Sequence, residues 1–459
     1  MTRVAVVGGG FAGLVAARDC AAAGATVTVV EPGPLGGKVR SSGFDGRGLD
    51  EAADAFLARV PEGVELCRAL GLEGELVSPT ARRARIWSRG ELRLLPEAQV
   101  LGVPTDLDEL DGSGILSPEG ARRIREDRTT PLTAPDGDVT IGAVMRARLG
   151  DEALERLVDP LVGGINAGDT DHLSLAATVP QLDAAVRSGR ASLIEACQAQ
   201  RAQVVDRTAP VFFAPKAGMG SLVDALVADL AARGVTFAGD AVVGLDAQGT
   251  GWAVRLAGDG AMTADAVVLA LPAAPAADLV RPHAGRAATL LAGIPYASVA
   301  MVSLAVRREG IQRELDASGF LVPRVEGRTV TACSWTSAKW PHLAGDGTVW
   351  LRASVGRDGD ASALAQPDDA LLATVLADLA DLMDLGGRPT DARVTRWDRS
   401  LPQYRPGHLD RVDAIDAELA TVAPVLVATG AALRGLGIPA CIRQGTDAAR
   451  RRLLSALDA

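Results

Sequence analysis

The chain has 459 residues, 48% of them hydrophobic and 23% charged, with a formal net charge of −10. That length exceeds one compact core and predicts two or three domains. The negative balance argues against nucleic acid as the main partner, and no uninterrupted apolar run reaches the roughly 18 residues of a membrane helix.

Residues 4–7 are four apolar residues that predict a short buried strand of a parallel sheet. Gly8-x-Gly10-x-x-Gly13 follows at once, then an Ala-rich helix over 14–23 closed by Gly24, then a strand, TVTVV, ended by Glu31. This is the full strand–loop–helix–strand setting of a dinucleotide-binding fingerprint. Gly8 permits the tight turn, Gly10 lets a pyrophosphate approach the backbone, and Gly13 lets helix and strand pack closely. The helix N-terminus offers free N–H groups and partial positive charge. Glu31 is placed to accept hydrogen bonds from both ribose hydroxyls and would repel a 2′-phosphate, so FAD or NAD fits and NADP does not. Gly9, Phe11, Ala12 and Pro32 complete the predicted contacts at this end of the chain.

The next stretch, PGPLGGKVRSSGFDGRGLDEAADAFL, carries a second glycine pair, Gly36-Gly37, followed by Lys38 and Arg40. It is a polar, glycine-rich excursion where an NAD domain would add further βα units. Residues 76–205 show helical periodicity (IGAVMRARLGDEALERLVDPLV) and many arginines, with a basic cluster at 81–96 that holds Arg82, Arg83, Arg85, Arg89 and Arg93 around Trp87. Between 206 and 285, AVVGLDAQGTGWAVRL predicts two strands around a glycine turn, and ADAVVLALPA a buried strand ending at a proline. Residues 286–400 begin with alternating stretches (SVAMVSLAV, GTVWLRASV) and continue into an amphipathic helix, DDALLATVLADLADLM. Residues 423–454 predict strand, glycine-rich loop and terminal helix.

Five scattered cysteines form no CxxC pair, so neither a disulfide framework nor a zinc site is expected. The four histidines (His172, His283, His342, His408) form no triad or metal-spaced cluster, and only three lysines occur. The glycine-rich stretch stands where the apolar segment of a secretion signal would be, so the expected location is cytoplasmic.

The second glycine pair after a complete fingerprint, and the C-terminal strand–loop–helix, resemble the GG-doublet, amine oxidase-like flavoproteins. Within that superfamily, DEAADAFLARVPE (50–62), LVDPLVGGINAGDTDHLSL (157–175), VFFAPKAGMGSLVDAL (211–226), SGFLVP (318–323) and GIPACIRQGTDAA (437–449) resemble porphyrinogen oxidases of haem synthesis. The matches run in order over nearly the whole chain. The resemblance implies an α/β fold: a Rossmann-like FAD-binding domain assembled from discontinuous segments (1–75, 206–285 and 401–459), a helical insertion at the substrate entrance (76–205) and a mixed-sheet substrate domain (286–400). It implies FAD contacts at the glycine pair, Lys38 and Arg40, at Ala52, Ala53, Asp54 and Ala55, at Val242 and Trp397, and at Gly430, Gly437, Ile438 and Pro439. The family often has Gly-Pro where this chain has Ala52-Ala53, so contacts there rest on backbone.

The same resemblance implies oxygen-dependent removal of six hydrogens from a porphyrinogen in three flavin turnovers, each passing a hydride from a bridge carbon to flavin N5, with hydrogen peroxide as by-product. The Gram-positive type, acting on coproporphyrinogen III, is the nearer in resemblance; protoporphyrinogen IX oxidase and amine oxidase stay open. A substrate with several carboxylates needs arginine forks, so Arg82, Arg83 and Arg85 are the expected receptors. Gly164, Asn166, Gly168, Gly319 and Phe320 are expected to line the substrate pocket, with Asp169 as acceptor for pyrrole N–H groups and His172 as the histidine nearest that loop. No general base is required by this chemistry, and none is assigned. Expected partners are the porphyrinogen, O2 and a transiently docked ferrochelatase; peripheral membrane contact is left open.

Overall fold

We analysed a computed structural model of the chain, which describes residues 1–454 apart from Val205, Arg207, Asp346 and Pro424. The last five residues of the expected 401–459 segment lie outside the described residues. The chain divides into two compact units, Met1–Ser78 with Pro210–Pro295 and His408–Ala459, and Pro79–Ala209 with Tyr296–Gly407. The regions read from the sequence as a helical insertion and a separate sheet-rich domain thus form one unit.

The first unit is built on a five-stranded parallel sheet in the order Thr236–Ala238, Thr26–Val30, Arg3–Val7, Ala266–Leu269, Leu426–Ala428. Residues 4–7 and 266–269 are buried throughout, as strands covered on both faces must be. Sequence neighbours Arg3–Val7 and Thr26–Val30 pair through the helix Phe11–Ala22; the remaining strands come from distant segments. Two more helices, Met219–Ala232 and Ile438–Asp447, pack on that first helix. Gly445 makes the second contact close: a Cβ there would overlap the Ala12 carbonyl and lie 3.1 Å from Val15 Cβ. Strands Val242–Gln248 and Gly251–Leu256 form the expected hairpin, and Ala261–Ala264 adds a third antiparallel strand.

The second unit holds a seven-stranded mixed sheet in the order Asp391–Pro402, Tyr296–Arg307, Thr348–Val355, Val330–Trp335, Gly319–Leu321, Arg85–Ser88, Glu91–Leu94. All neighbours are antiparallel except Gly319–Leu321 with Arg85–Ser88. The basic cluster at 81–96 is therefore an edge hairpin and not part of a helix. Its alternation buries Ile86 and Leu92 while the arginines take the intervening positions, a period-2 pattern that only a strand satisfies. The helix Asp368–Met383 covers the sheet with Leu371, Val375, Leu379 and Leu382, all fully buried. A second core, centred on Ile115, Ile124, Ile141, Met145, Leu149 and Leu157, joins the helices between 107 and 202.

Inside that helical core lies an ion pair. Arg148 and Asp127 have side chains 9% and 0% exposed. The guanidinium donates to Asp127 Oδ1 at 2.6 Å, to the Pro131 carbonyl at 2.9 Å and to the Thr130 carbonyl at 2.7 Å, and Asp127 Oδ2 accepts Ile194 N–H at 2.9 Å. Every strong polar group of the pair is thus met, the condition under which burial of charge is tolerated. Asp127→Ala leaves the guanidinium buried and unpaired. The expected loss is about 3–5 kcal/mol, read as a lower unfolding temperature in calorimetry.

Candidate functional site

In the first unit the turn between residues 7 and 11 forms a cradle without side chains. Gly8 stands at φ +107°, where a Cβ would meet the Ala270 carbonyl oxygen at 2.5 Å; a Cβ on Gly13 would overlap the Gly8 carbonyl. These two glycines are demanded by the packing of the protein itself. Gly10 differs: a Cβ there meets no protein atom within 4 Å. It is also the N-cap of the helix Phe11–Ala22 and supplies no side chain to the free N–H groups. Open space in front of uncapped amides is what an anion such as a pyrophosphate requires.

Glu31 sits beside this turn. Its Oε2 accepts Gly9 N–H at 2.8 Å and its Oε1 accepts Gly33 N–H at 2.9 Å, which fixes the carboxylate and leaves lone pairs for hydroxyl donors. Pro32, next in the chain, is exposed. The second glycine pair is bound to the first by Gly36 N–H donating to the Gly9 carbonyl at 2.8 Å and by a bridge between Gly10 and Gly36. Burial lowers the Lys38 ammonium from the usual lysine value and pushes the nearby Cys441 thiol up to about 11, against the pull of Lys38. Arg40 is ion-paired with Glu51. Ala52, Ala53, Asp54 and Ala55 form a half-buried loop after the strand Arg47–Asp50. Val242 opens its strand opposite Leu256.

The C-terminal segment returns to the same place. Thr429 N–H donates to the Leu269 carbonyl, and Gly430, at φ +113°, comes within 3.9 Å of Ala12 Cβ by its own virtual Cβ. Gln444 holds the following loop: its Oε1 accepts Arg434 N–H at 2.8 Å and its Nε2 donates to the Gly435 carbonyl at 3.1 Å. Gly437 is the N-cap of the helix Ile438–Asp447, Ile438 and Pro439 are buried in its first turn, and no side chain caps it. The first unit therefore gathers Gly10, Glu31, Gly36, Gly430 and a second uncapped helix start around one sheet end.

The second unit treats the expected substrate residues differently. The helix Asp159–Asn166 ends with Ala167 at φ +45°. Asn166 is buried; its Nδ2 donates to the Val162 carbonyl at 2.8 Å, and its own carbonyl accepts Gln403 Nε2 at 2.9 Å. A Cβ on Gly168 would lie 2.6 Å from Leu173 Cδ1 and 2.8 Å from Gln403 Oε1, so that glycine serves internal packing. Gly164 is open, its virtual Cβ 3.7 Å from Leu321, beside the exposed Ile165. Asp169 Oδ1 caps the turn by accepting Asp171 N–H at 2.9 Å. His172, largely exposed, lies 3.8 Å from Asp169 Oδ2.

Three expectations need correction. Phe320 does not line a pocket: it is 2% exposed and packs edge-to-face on Trp335 at 6.1 Å within the sheet core. Gly319 stands at φ +145° because a Cβ would overlap the Cys333 carbonyl across the sheet, which needs no ligand to explain it. The basic cluster is held by the protein itself. Arg82 donates to the Thr208 and Ala209 carbonyls at 2.7 and 3.0 Å, and Arg83 lies 3.5 Å from Glu97. Arg85 forks onto Asp316 at 2.9 and 2.6 Å and reaches the Leu92 carbonyl at 2.9 Å. Arg93 donates to the Ser88 carbonyl and pairs with Glu91, both at 3.1 Å, and Arg89 stands 4.0 Å from Glu152. Trp397 packs beside Ala167, Ala297 and Val299.

Two arginines near the 166–172 loop escaped sequence reading. Arg324 Nη2 is 3.4 Å from the Gly168 carbonyl and 3.9 Å from Asp169 Oδ2. Arg357 follows a glycine turn and is half-buried. Each is a single arginine after a turn, VPR and VGR, without the clustering that marks a basic patch. His283 and His408 bond to the Leu245 and Leu433 carbonyls, and His342 stacks edge-on to Trp340. Among the described residues no group of three or more His, Cys, Asp or Glu is placed to hold a metal ion, and no helix is long and apolar enough to cross a membrane.

The contrast between two glycines is testable. Gly13→Ala forces backbone apart and lowers the unfolding temperature, by about 1–3 kcal/mol of overpacking. Gly10→Ala meets nothing in the protein, so the chain folds with an unfolding temperature near that of the wild type. A methyl there fills the cradle, and the affinity for added dinucleotide falls by about tenfold, the loss of roughly one hydrogen-bonded contact. Equilibrium dialysis and thermal melts of the cofactor-free proteins read both effects.

Residues 11–453 match the family described as flavin containing amine oxidoreductase. The coproporphyrinogen III oxidase of Bacillus subtilis (strain 168) is 32% identical over 97% of this chain and 96% of its own length. The coproporphyrinogen III oxidase of Mycobacterium tuberculosis (strain H37Rv) is 36% identical over 99% of this chain and 97% of its own length. A crystal structure of a protein described as a putative protoporphyrinogen oxidase, from Exiguobacterium sp. 255-15, superposes with a TM-score of 0.88 at 29% identity and covers 99% of both chains. The cradle at Gly10, the carboxylate of Glu31 and the two uncapped helix starts fit the dinucleotide such enzymes use, and the chain belongs to the flavin-containing amine oxidoreductase family as an FAD-dependent oxidase.

Proposed function

We propose that this protein oxidises coproporphyrinogen III to coproporphyrin III, with O2 as terminal acceptor and hydrogen peroxide as by-product, in a coproporphyrin-dependent route to haem. The observation that carries the reading is the end-to-end similarity to coproporphyrinogen III oxidases, with both cofactor-binding ends of the fold intact. Bound FAD supplies the two-electron acceptance that aromatisation needs three times per macrocycle. The residues supply position and charge. The first turn of Phe11–Ala22, opened by Gly10, receives the pyrophosphate, and Glu31 receives the adenosine ribose hydroxyls. Lys38, Arg40, the 52–55 loop, Val242 and Trp397 are proposed as further cofactor contacts. The start of Ile438–Asp447 directs amide N–H groups and partial positive charge at the electron-accepting end, which favours negative charge there.

In this reading the helix end carrying Gly164 and Asn166 and the loop carrying Gly168 and Asp169 face the macrocycle, and Asp169 accepts pyrrole N–H groups through Oδ2. The bridge carbons need no dedicated general base, which agrees with histidines that are structural or exposed. The reaction takes place in the cytoplasm, and the product passes to the ferrochelatase by transient contact.

Protoporphyrinogen IX is the second reading, favoured by the similarity to the Exiguobacterium structure. The purified flavoprotein, assayed in air with each porphyrinogen by porphyrin fluorescence, separates them. The expected outcome is a kcat/KM at least tenfold higher for coproporphyrinogen III, with three peroxides released per porphyrin. A preference for protoporphyrinogen IX reassigns the substrate; no acceleration over the enzyme-free control with either one removes the porphyrinogen reading.

A further inference from the structure

A substrate rich in propionates brings several negative charges to a protein whose own net charge is −10, and these need local cations. The cluster at 81–96 gives a poor answer, because Arg82, Arg83, Arg85 and Arg93 each reach carbonyls or carboxylates of the protein itself. Arg324 and Arg357 are differently placed. The Nε of Arg324 is buried and has no hydrogen-bond partner. Its remaining contacts are long, 3.4 Å to the Gly168 carbonyl and 3.9 Å to Asp169. Arg357 makes no side-chain hydrogen bond or ion pair among the described residues.

The two arginines interact. Burial lowers the Arg357 guanidinium from the ordinary arginine value, and the charge of Arg324 acts in the same sense; Asp159, Asp360 and Asp169 act against both. Those three carboxylates are engaged elsewhere. Asp159 accepts Thr170 N–H and Oγ1, at 3.2 and 2.8 Å. Asp169 Oδ1 accepts Asp171 N–H at 2.9 Å, and Asp360 Oδ1 accepts Ser362 Oγ at 2.9 Å. Two partly buried cations are thus tied to neighbouring residues of one loop, with no carboxylate in an ion pair with Arg357 among the described residues. Such an arrangement is costly for the protein alone and is relieved by an anion with two oxygens.

The backbone holds the pair to the loop singled out from the sequence. Asp358 N–H donates to the Ala167 carbonyl at 2.7 Å, which fastens the turn carrying Arg357 to the end of the helix Asp159–Asn166. Arg324 reaches the next residue, Gly168. The Arg324 guanidinium and the backbone turn that carries Arg357 are therefore both held to the 166–172 loop.

We propose that Arg324 and Arg357 are the carboxylate-binding residues of the substrate site, closing as a fork on one propionate of the macrocycle. This rests on the porphyrinogen reading above. Arginine suits the task because its planar donors match a carboxylate in pairs, which a lysine point charge does not. The bond is made equally in the bound substrate and during its oxidation, so it lowers KM and leaves kcat nearly alone.

The test uses the holoenzyme and variants R324Q, R357Q and R357K with coproporphyrinogen III. The expected result for each glutamine variant is a KM raised about tenfold or more, the worth of one charge-assisted pair, with kcat within about threefold of wild type. R357K recovers part of the loss. Flavin absorbance and unfolding temperature identify folded holoenzyme; should R357Q fail to retain flavin, R357K alone decides, since its KM still rises several-fold. An unchanged KM in the flavin-loaded variants overturns the assignment, as does a loss confined to kcat. If the wild type turns over coproporphyrinogen III while these variants match it, only this inference fails. If the wild type oxidises no porphyrinogen, the reading beneath it fails as well.

Discussion

Backbone pressed against backbone at three places holds the first unit together. Gly8 lies on the Ala270 carbonyl, Gly13 on the Gly8 carbonyl, and Gly445 on the Ala12 carbonyl. With any side chain at these points, the helix Phe11–Ala22 could not sit against both its own strand and the helix Ile438–Asp447. Interiors are packed densely enough that one methyl at such a contact is felt. Everything the unit offers a ligand follows from that closeness: the uncapped helix start behind Gly10, the carboxylate of Glu31 beside it, and Gly430 arriving against Ala12. Among the four glycines of the opening turn, Gly10 alone has nothing of the protein within 4 Å of a Cβ, and it stands at an uncapped helix start, which marks it as the glycine kept for a ligand.

The second unit is held by arginine. Arg148 organises the helical core by donating to three carbonyls and one carboxylate. Arg85 fastens the edge hairpin to Asp316, and Arg156 ties Ser88 to Glu326. A guanidinium has five donors in a fixed plane and so can join several segments at once. Basic residues here therefore act mainly as internal struts, and an arginine left without a strut to make stands out.

Much of the first unit was legible because its signals are local. The strand, glycine turn, helix and acidic strand end occupy residues 3–31 in unbroken order, and the physics of a tight turn fixes which positions are glycine. The strand–loop–helix at 426–447 was legible for the same reason. The second unit was harder to read because its contacts are distant. Arg85 meets Asp316 across 231 residues, and nothing near Arg85 announces it. Gly319 and Phe320 match a pocket segment in pattern, yet one is glycine for a cross-strand carbonyl and the other fills the core. Arg324 and Arg357 gain meaning only when the turns carrying them come to the 166–172 loop. The hairpin at 85–94 was hidden by its charge, since three arginines within ten residues read first as a basic patch.

The parallel sheet of the first unit draws its strands from residues 3–30, 236–238, 266–269 and 426–428, with the last at one edge and the helix Ile438–Asp447 closing over the first helix. A chain leaving the ribosome therefore cannot finish its nucleotide fold until residues 426–447 have been made. The glycine turn emerges first and waits for a helix encoded more than four hundred residues later. Cofactor capture thus reports on synthesis past this point: a chain ended before it lacks the wall that Gly430 and Gly445 build, and the FAD-dependent oxidase is assembled only once that wall is made.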